Sequence, residues 1–355
     1  MLLRSTTSHT QRVSLWLSCV VLCLGLIAPA FGQSATNSPP AAPKGNPQFI
    51  PSFASMQQAV LSQDYTLEQW RRFKDENGNI VTVRELLEVD ANGSNRPDFQ
   101  LTFQAVEGEP AGSALTMEWQ QTYDRYGTLF FRQGAFNIRD LSKASAHYSL
   151  HDFGIVVRAG RIARRMVVFP NAVDKAIWVI DVDSLTSVPL FIAEFDHSLN
   201  LFANIEAIQF TPSVQTITPT VPATSVTPML DYATAQTHLG SPAGLIDPNV
   251  MVAIDYTLEN IDVHDDPING RQKLVMSYTD GIDQFMIVQT VNTADPFATL
   301  PSSAGGAHTI GRFRDPAISA LVFWDDQVAF HIAGRGQLKR LDEVARRVYL
   351  QALSN

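Results

Sequence analysis

From Tyr65 the chain alternates Tyr65, Leu67, Gln69, Arg71 and Phe73 on one side, turns at Asn77-Gly78 and returns from Ile80. That pattern predicts a β-hairpin. Ahead of it, "FASMQQAVLSQ" sets Phe53, Met56, Val60 and Leu61 on one helical stripe, a short helix with one face to bury. After it, "PDFQLTFQAVEG" opposes Phe99, Leu101, Phe103 and Ala105 to Gln100, Thr102 and Gln104, a half-buried antiparallel strand. "ALTMEWQQTYDRYG" gives a helical stripe of Leu115, Trp119 and Tyr123, and no element is predicted from there to Asp152. Four closely spaced strands follow, over 162–169, 176–183, 188–196 and 200–210.

The pair formed by "WVIDVDSLTSVPLFIAEFD" is unusual. Trp178, Ile180 and Val182 point one way and Ile177 and Val179 the other, while Leu190 and Ile192 oppose Phe191, Ala193 and Phe195. An antiparallel sheet with one solvated face does not need both sides apolar. Either a neighbouring element covers the second side, or the sheet shelters an apolar ligand.

Farther on, "QKLVMSYTDGIDQFMIVQT" predicts a hairpin turning at Asp280-Gly281. "AHTIGRFRD", "ISALVFWDD" and "QVAFHIAGRG" supply three short strands, and "GQLKRLDEVARRVYLQAL" predicts a closing amphipathic helix on Leu338, Leu341, Ala345, Val348 and Ala352. No repeat of solenoid or propeller period is visible.

Composition divides this pattern into parts. Arg4 and Arg12 precede the apolar run "VSLWLSCVVLCLGLIA", closed by "APAFGQ", the three regions of a secretory signal. Residues 1–32 are therefore expected to be a signal peptide cleaved before Gln33, with export out of the cytoplasm, and 33–47 a Pro/Ser/Ala-rich leader. The Pro/Thr-rich stretch 211–228 predicts a linker between an N-terminal domain, 48–210, and a C-terminal domain, 229–355. Both cysteines, Cys19 and Cys23, lie inside the apolar run, so no thiol chemistry is expected beyond it. The formal charge of −9 and the lack of any basic block argue against a nucleic-acid partner.

Candidate chemistry is sparse. "GSPAG" at Gly240–Gly244 has its serine beside a proline and is not a nucleophile elbow. His147 and His151 stand at i, i+4, a zinc-ligand spacing on a helix, but Tyr148 occupies the place of the glutamate base that the hydrolytic form requires. "VHDDP", Val263 to Pro267, is expected to lead into the turn at Asn269-Gly270. "DANGSNRPD", Asp90 to Asp98, begins like a calcium loop but has Asn95 where the tight turn wants glycine. A hydrolase around His147 and His151 is the weakest alternative. No cofactor, no metal and no enzymatic activity are expected.

The block "RIARRMVVFPNAVDKAIWVIDVDSLTSVPLFIAEFDHSLNLFANIEAIQF", with "SPAGL", "LVMSYTDGIDQFMIV" and "GRGQLKRLDEVARRV" downstream, resembles the RseB/MucB family of periplasmic regulators of the envelope-stress sigma factor. The resemblance implies an α+β fold. Its parts are a curved antiparallel sheet, an unclosed β-barrel packed on helices as in LolA and LolB, and then a smaller antiparallel sheet with a C-terminal helix. It also implies a non-enzymatic regulator that binds the periplasmic segment of an anti-sigma factor and senses lipid-type ligands. A lipid or lipoprotein carrier of LolA type is the alternative. Under either, Phe99, Leu101, Phe103, Trp178, Ile180 and Phe191 are the expected walls of an apolar ligand cavity.

Overall fold

The computed structural model describes residues 42–74, 79–93, 97–121, 123–124, 136–172, 175–196, 198–213, 226–229, 231–239, 255–265, 272–291, 309–311, 318–324, 328–335 and 344–348. The expected signal peptide, most of the leader and much of the linker and terminal helix lie outside these residues.

Helix α1, Phe53–Ser62, starts at Ser52, whose hydroxyl accepts from Ser55 N while the Ser55 hydroxyl accepts from Ser52 N. Each serine satisfies an amide that the first helical turn leaves unpaired. The helix buries Phe53, Met56 and Ala59, so the buried stripe runs through Ala59 where the sequence suggests Val60 and Leu61, both of which are only partly buried. β1 (Tyr65–Lys74), β2 (Ile80–Asp90), β3 (Asp98–Val106) and the two-residue β4 (Glu109–Pro110) form an antiparallel meander. A helix over 114–121, α2, lies after it. Then α3, Leu141–His147, leads directly into β5, Tyr148–Arg158, followed by β6 (Arg161–Pro170), β7 (Ile177–Asp183), β8 (Pro189–Phe195) and β9 (Leu201–Pro212).

These strands make one open sheet of nine in the order β4-β3-β2-β1-β9-β8-β7-β6-β5. A second, seven-stranded sheet holds β10 (Val226–Met229), β11 (Thr257–Asp265), β12 (Gln272–Thr279), β13 (Gln284–Val291), β14 (Thr309–Gly311), β15 (Ile318–Trp324) and β16 (Val328–Arg335). Every ladder in it is antiparallel. α4, Tyr232–Leu239, and a helical segment over 344–348 complete the described elements. The fold is thus α+β with two antiparallel sheets and no barrel closure among the described residues.

Several sequence expectations change. The ends of the supposed linker are strand residues, Thr211 and Pro212 in β9 and Val226 to Pro228 in β10. Val263 and His264 of "VHDDP" are buried in β11 instead of leading into a solvated turn. His147 ends α3 while His151 stands in β5, so the pair does not share a helix face. His151 Nε2 lies 3.1 Å from the Ser149 hydroxyl, and no group of three metal-ligating side chains occurs among the described residues. No described helix is long and apolar enough to cross a membrane.

The register of the first sheet sorts its side chains into two faces. One cross-strand line runs Met166, Ile180, Ile192, Ile205, Arg71, Val83 and Val106, through six successive strand pairings. All seven are buried. Around this line pack Trp178, Phe136 and Tyr148 at one end and Leu67, Leu101, Phe103 and Trp119 at the other. Arg71 is the one cation in the line, and its Nε donates to both oxygens of Glu85, at 2.9 and 3.0 Å, with Gln69 Nε2 donating to the same carboxylate at 2.8 Å. A buried guanidinium is tolerated only with such a counter-charge.

Candidate functional site

One residue along each strand the sheet turns over, because successive side chains alternate. The neighbouring line reads Arg84, Trp70, Glu206, Phe191, Asp181 and Arg165 across β2, β1, β9, β8, β7 and β6. Guanidinium, indole, carboxylate, phenyl, carboxylate and guanidinium thus follow one another across six strands. This is the second face of the hairpin whose two sides are both apolar in sequence.

Asp181 is fully buried and accepts from Arg158 Nε at 2.6 Å and from Arg165 Nε and Nη2 at 2.7 and 2.9 Å. Its hydrogen bonds raise the basicity of the Arg165 guanidinium against the opposing effect of burial. Arg158 bridges to Glu206 Oε1 at 2.9 Å and lies 4.5 Å above the centroid of the buried Phe191 ring. Arg165 approaches the same ring at 5.9 Å. Arg72 reaches Glu206 Oε2 at 3.3 Å. At the far end Trp70 lies between two guanidiniums, Arg72 at 6.0 Å and Arg84 at 5.9 Å, and Arg84 Nε donates to Glu68 at 2.6 Å. Cations favour the negative face of an aromatic ring, and best over indole.

The two ends differ in exposure. Asp181 and Phe191 are sealed, whereas Trp70, Arg72 and Glu206 are partly exposed and the Arg84 side chain is 44% exposed. Four arginines, 72, 84, 158 and 165, meet three carboxylates, Glu68, Glu206 and Asp181. At the exposed end the charges balance, Arg72 and Arg84 against Glu206 and Glu68, so both signs flank Trp70. Arginine and tryptophan in such a setting are the side chains that dominate protein–protein recognition.

The residues expected to line a cavity are divided between the faces. Trp178 and Ile180 are fully buried on the core face, with Phe136 5.8 Å and Tyr148 5.5 Å from the Trp178 ring. Leu101 and Phe103 are buried at the other end of that face, Phe103 against Trp119 at 5.7 Å, and Phe99 is partly buried beside them. Phe191 is not brought together with these five. It pairs with Asp181 on the opposite face, beneath Arg158.

A second constellation, absent from the sequence analysis, joins the two sheets. The Asp280-Gly281 turn of the β12–β13 hairpin is buried against α3 and the first sheet instead of being solvated. Asp280 is fully buried, and its Oδ2 accepts from Lys175 Nζ and from the Tyr148 hydroxyl, each at 2.7 Å. His147 Nδ1 lies 3.1 Å from the Asp280 carbonyl oxygen; since a carbonyl only accepts, that nitrogen carries the proton. The Gly281 carbonyl accepts from Arg139 N at 2.9 Å, and Ile282 enters the Trp178 core cluster. Arg139 reaches Glu259 of β11 at 3.3 Å, and Lys143 bonds the Thr257 hydroxyl. Nothing local in "TDGID" marks this role, since Asp-Gly is the ordinary signature of an exposed hairpin tip.

No protein-family model matches the chain, and no curated protein matches it. Among solved structures it is similar to MucB in complex with MucA(peri), at 13% identity over 84% of this chain and 96% of that one, with a TM-score of 0.43. It is similar to the Pseudomonas aeruginosa MucA/MucB complex at 12% identity, over 84% and 95% of the two chains, with a TM-score of 0.41. MucB alone gives 13%, 84%, 94% and 0.44 in the same terms. All three likenesses are distant.

Proposed function

We propose that this chain is an exported, non-enzymatic binding protein of RseB/MucB type whose partner is the periplasmic segment of an anti-sigma factor. The observation that carries the binding role is Trp70, held partly exposed between Arg72 and Arg84 at the open end of the cross-strand line. An indole stiffened by two guanidiniums loses little freedom on contact and offers a flat apolar surface beside charge, the combination found at interface hot spots. Arg84, the most exposed of the charges around it, suits an acidic side chain on a peptide partner. The class of partner rests on the ordered sequence blocks set out above.

Titration calorimetry with a synthetic anti-sigma periplasmic segment tests the proposal. Trp70→Ala and Arg84→Ala are each expected to weaken binding by at least about 2 kcal/mol, or roughly thirtyfold, the range of interface hot spots. The melting temperature of both variants should stay within a few degrees of the parent. Binding unchanged in both sinks the proposal.

One observation favours the carrier alternative. The indole N–H of Trp178, fully buried on the core face, has no acceptor among the described residues. An acyl ester carbonyl would supply one. Trp178→Phe should then lower uptake of a fluorescent fatty acid while leaving peptide binding intact, and equal uptake by both proteins counts against the carrier.

A further inference from the structure

Two described turns set a side-chain carbonyl next to a glycine amide, Asn92-Gly93 after β2 and Asp280-Gly281 between β12 and β13. Their surroundings are opposite. At Asp280-Gly281 both halves are held: the carboxylate accepts from Lys175, Tyr148 and the Ile282 and Asp283 amides, and Gly281 N donates to Thr279 Oγ1 at 3.0 Å. A Cβ on Gly281 would lie 2.3 Å from Ala144 N, so the turn has no room to rearrange. At Asn92-Gly93 both residues are exposed, Gly93 has φ +77°, and a Cβ built on it meets nothing within 4 Å. Gly93 N makes no hydrogen bond among the described residues.

Asparagine before glycine is a step at which a peptide chain can attack itself, because glycine has no Cβ to shield its nitrogen and turns freely through the conformations the attack needs. We propose that Asn92 is a self-modifying site, which passes from amide to acid without an enzyme. Gly93 N attacks Cγ of Asn92, the new C–N bond closes a succinimide ring, and the side-chain nitrogen leaves as ammonia with the proton that Gly93 N gives up. Water then opens the ring in either of two ways. Breaking the new Cγ–N bond gives aspartate, whereas breaking the original peptide C–N bond gives isoaspartate, in which the main chain runs through the former side chain. The sum consumes water and releases ammonia, and nothing is oxidised or reduced.

Its place in the fold gives the change an effect. Ala91 donates its amide to Asp64 Oδ1 at 2.8 Å, and the Asp64 carbonyl accepts at 2.7 Å from N of Ser213, the residue after β9. Asp64 thereby ties the loop after β2 to the point where the chain leaves the first sheet. Asp90 already stands directly opposite Asp98 at the mouth of that loop, and like charges so placed oppose pairing. A carboxylate at position 92 adds another anion beside them, and the isoaspartate form also lengthens the main chain inside the loop. Both weaken the hold of Asp64. The conversion is a one-way timer on the corner where β1, β2 and β9 meet, with Tyr65 paired to Val89 on one side and to Pro212 on the other.

Incubation of the purified protein at mildly alkaline pH, with residues 88–97 as a free peptide alongside, tests the proposal by mass spectrometry. Asn92 in the protein should convert less than about tenfold more slowly than in the peptide, a protection below about 1.4 kcal/mol, while Asp280-Gly281 stays unchanged. Asn92→Gln should stay unconverted, since its longer side chain would have to close a larger ring. Asn92→Asp carries the new charge from the start. Hydrogen exchange at 64–66 and 210–213 should be faster in Asn92→Asp and in the aged parent than in the fresh parent and in Asn92→Gln. Protection of Asn92 by more than about tenfold, or ring closure at Asp280-Gly281 that keeps pace with it, would overturn the site, and unchanged exchange in Asn92→Asp would overturn its effect. None of these readouts involves a partner, so the outcome is independent of anti-sigma binding.

Discussion

Lys175 and Asp280 form a buried ion pair at 2.7 Å between residues 105 positions apart, with side chains 4% and 0% exposed. The pair ties the loop before β7 to the hairpin tip of the second sheet. Asp280→Asn leaves the ammonium without its counter-charge and is expected to cost about 3–5 kcal/mol, the cost of breaking a buried pair from one side. Adding Lys175→Met removes the stranded charge and should recover a large part of the loss. Urea unfolding of the single and double variants measures both. Equal stability of parent and single variant would show that the pair is not buried.

Gly281 offers a second test of the joint. Its φ is +110°, and a Cβ there would fall 2.3 Å from Ala144 N, a backbone atom of α3. Gly281→Ala therefore meets both conformational strain and a wall that cannot give, and should cost more than the ~1–3 kcal/mol of strain alone. Hydrogen exchange should show α3 and the hairpin tip loosening together while β1 and β2 keep their protection.

Trp178→Ala removes a fully buried ring packed on Phe136 and Tyr148. A loss of about 3–5 kcal/mol is expected from the lost burial and the cavity left behind. Thermal unfolding reads it directly.

The pH dependence of stability has an identified contributor at the β5 edge. Hydrogen bonds from Arg164 hold the Asp152 carboxyl below the usual aspartate range against the opposing effect of desolvation, and the Gly154 amide adds to the lowering. A depressed folded-state pKa contributes stability that is complete above the unfolded value, about 3.9, and is lost as pH falls through the folded value. Melting temperatures recorded from about pH 5 to about pH 2 should fall less steeply in Asp152→Asn than in the parent. Parallel curves would remove Asp152 from the acid response.

Much of the first sheet can be read from the chain because β1 and β3 alternate in burial and β6 to β9 are closely spaced, strand-length runs rich in apolar residues and separated by turn residues. β5 is hidden for a physical reason. The bulge between Asp152 and Ile155, with Gly154 at φ +99°, breaks the alternation halfway along the strand. α3 is too short to show a helical period. The linker composition concealed that β9 and β10 extend into it, since Pro212 and Pro228 stand at or near strand ends where a missing N–H costs little. The site is less legible than the fold. Single-strand patterns place Trp178 and Phe191 on chosen faces only once the register is known, and the line from Arg84 to Arg165 exists only across five pairings. The burial of Asp280 depends on Tyr148 and Lys175, 132 and 105 residues earlier, which no window of sequence contains.

The Asp280-Gly281 tip also orders events in time. Synthesis runs from the N-terminus, so every strand of the nine-stranded sheet is made before the residues that cover Tyr148 and Lys175 exist. Until they arrive, the seat of Ile282 beside Trp178 is open to solvent. The newly made protein therefore passes through a stage with an uncovered apolar socket, and that stage is when proteases and holding chaperones have their opening.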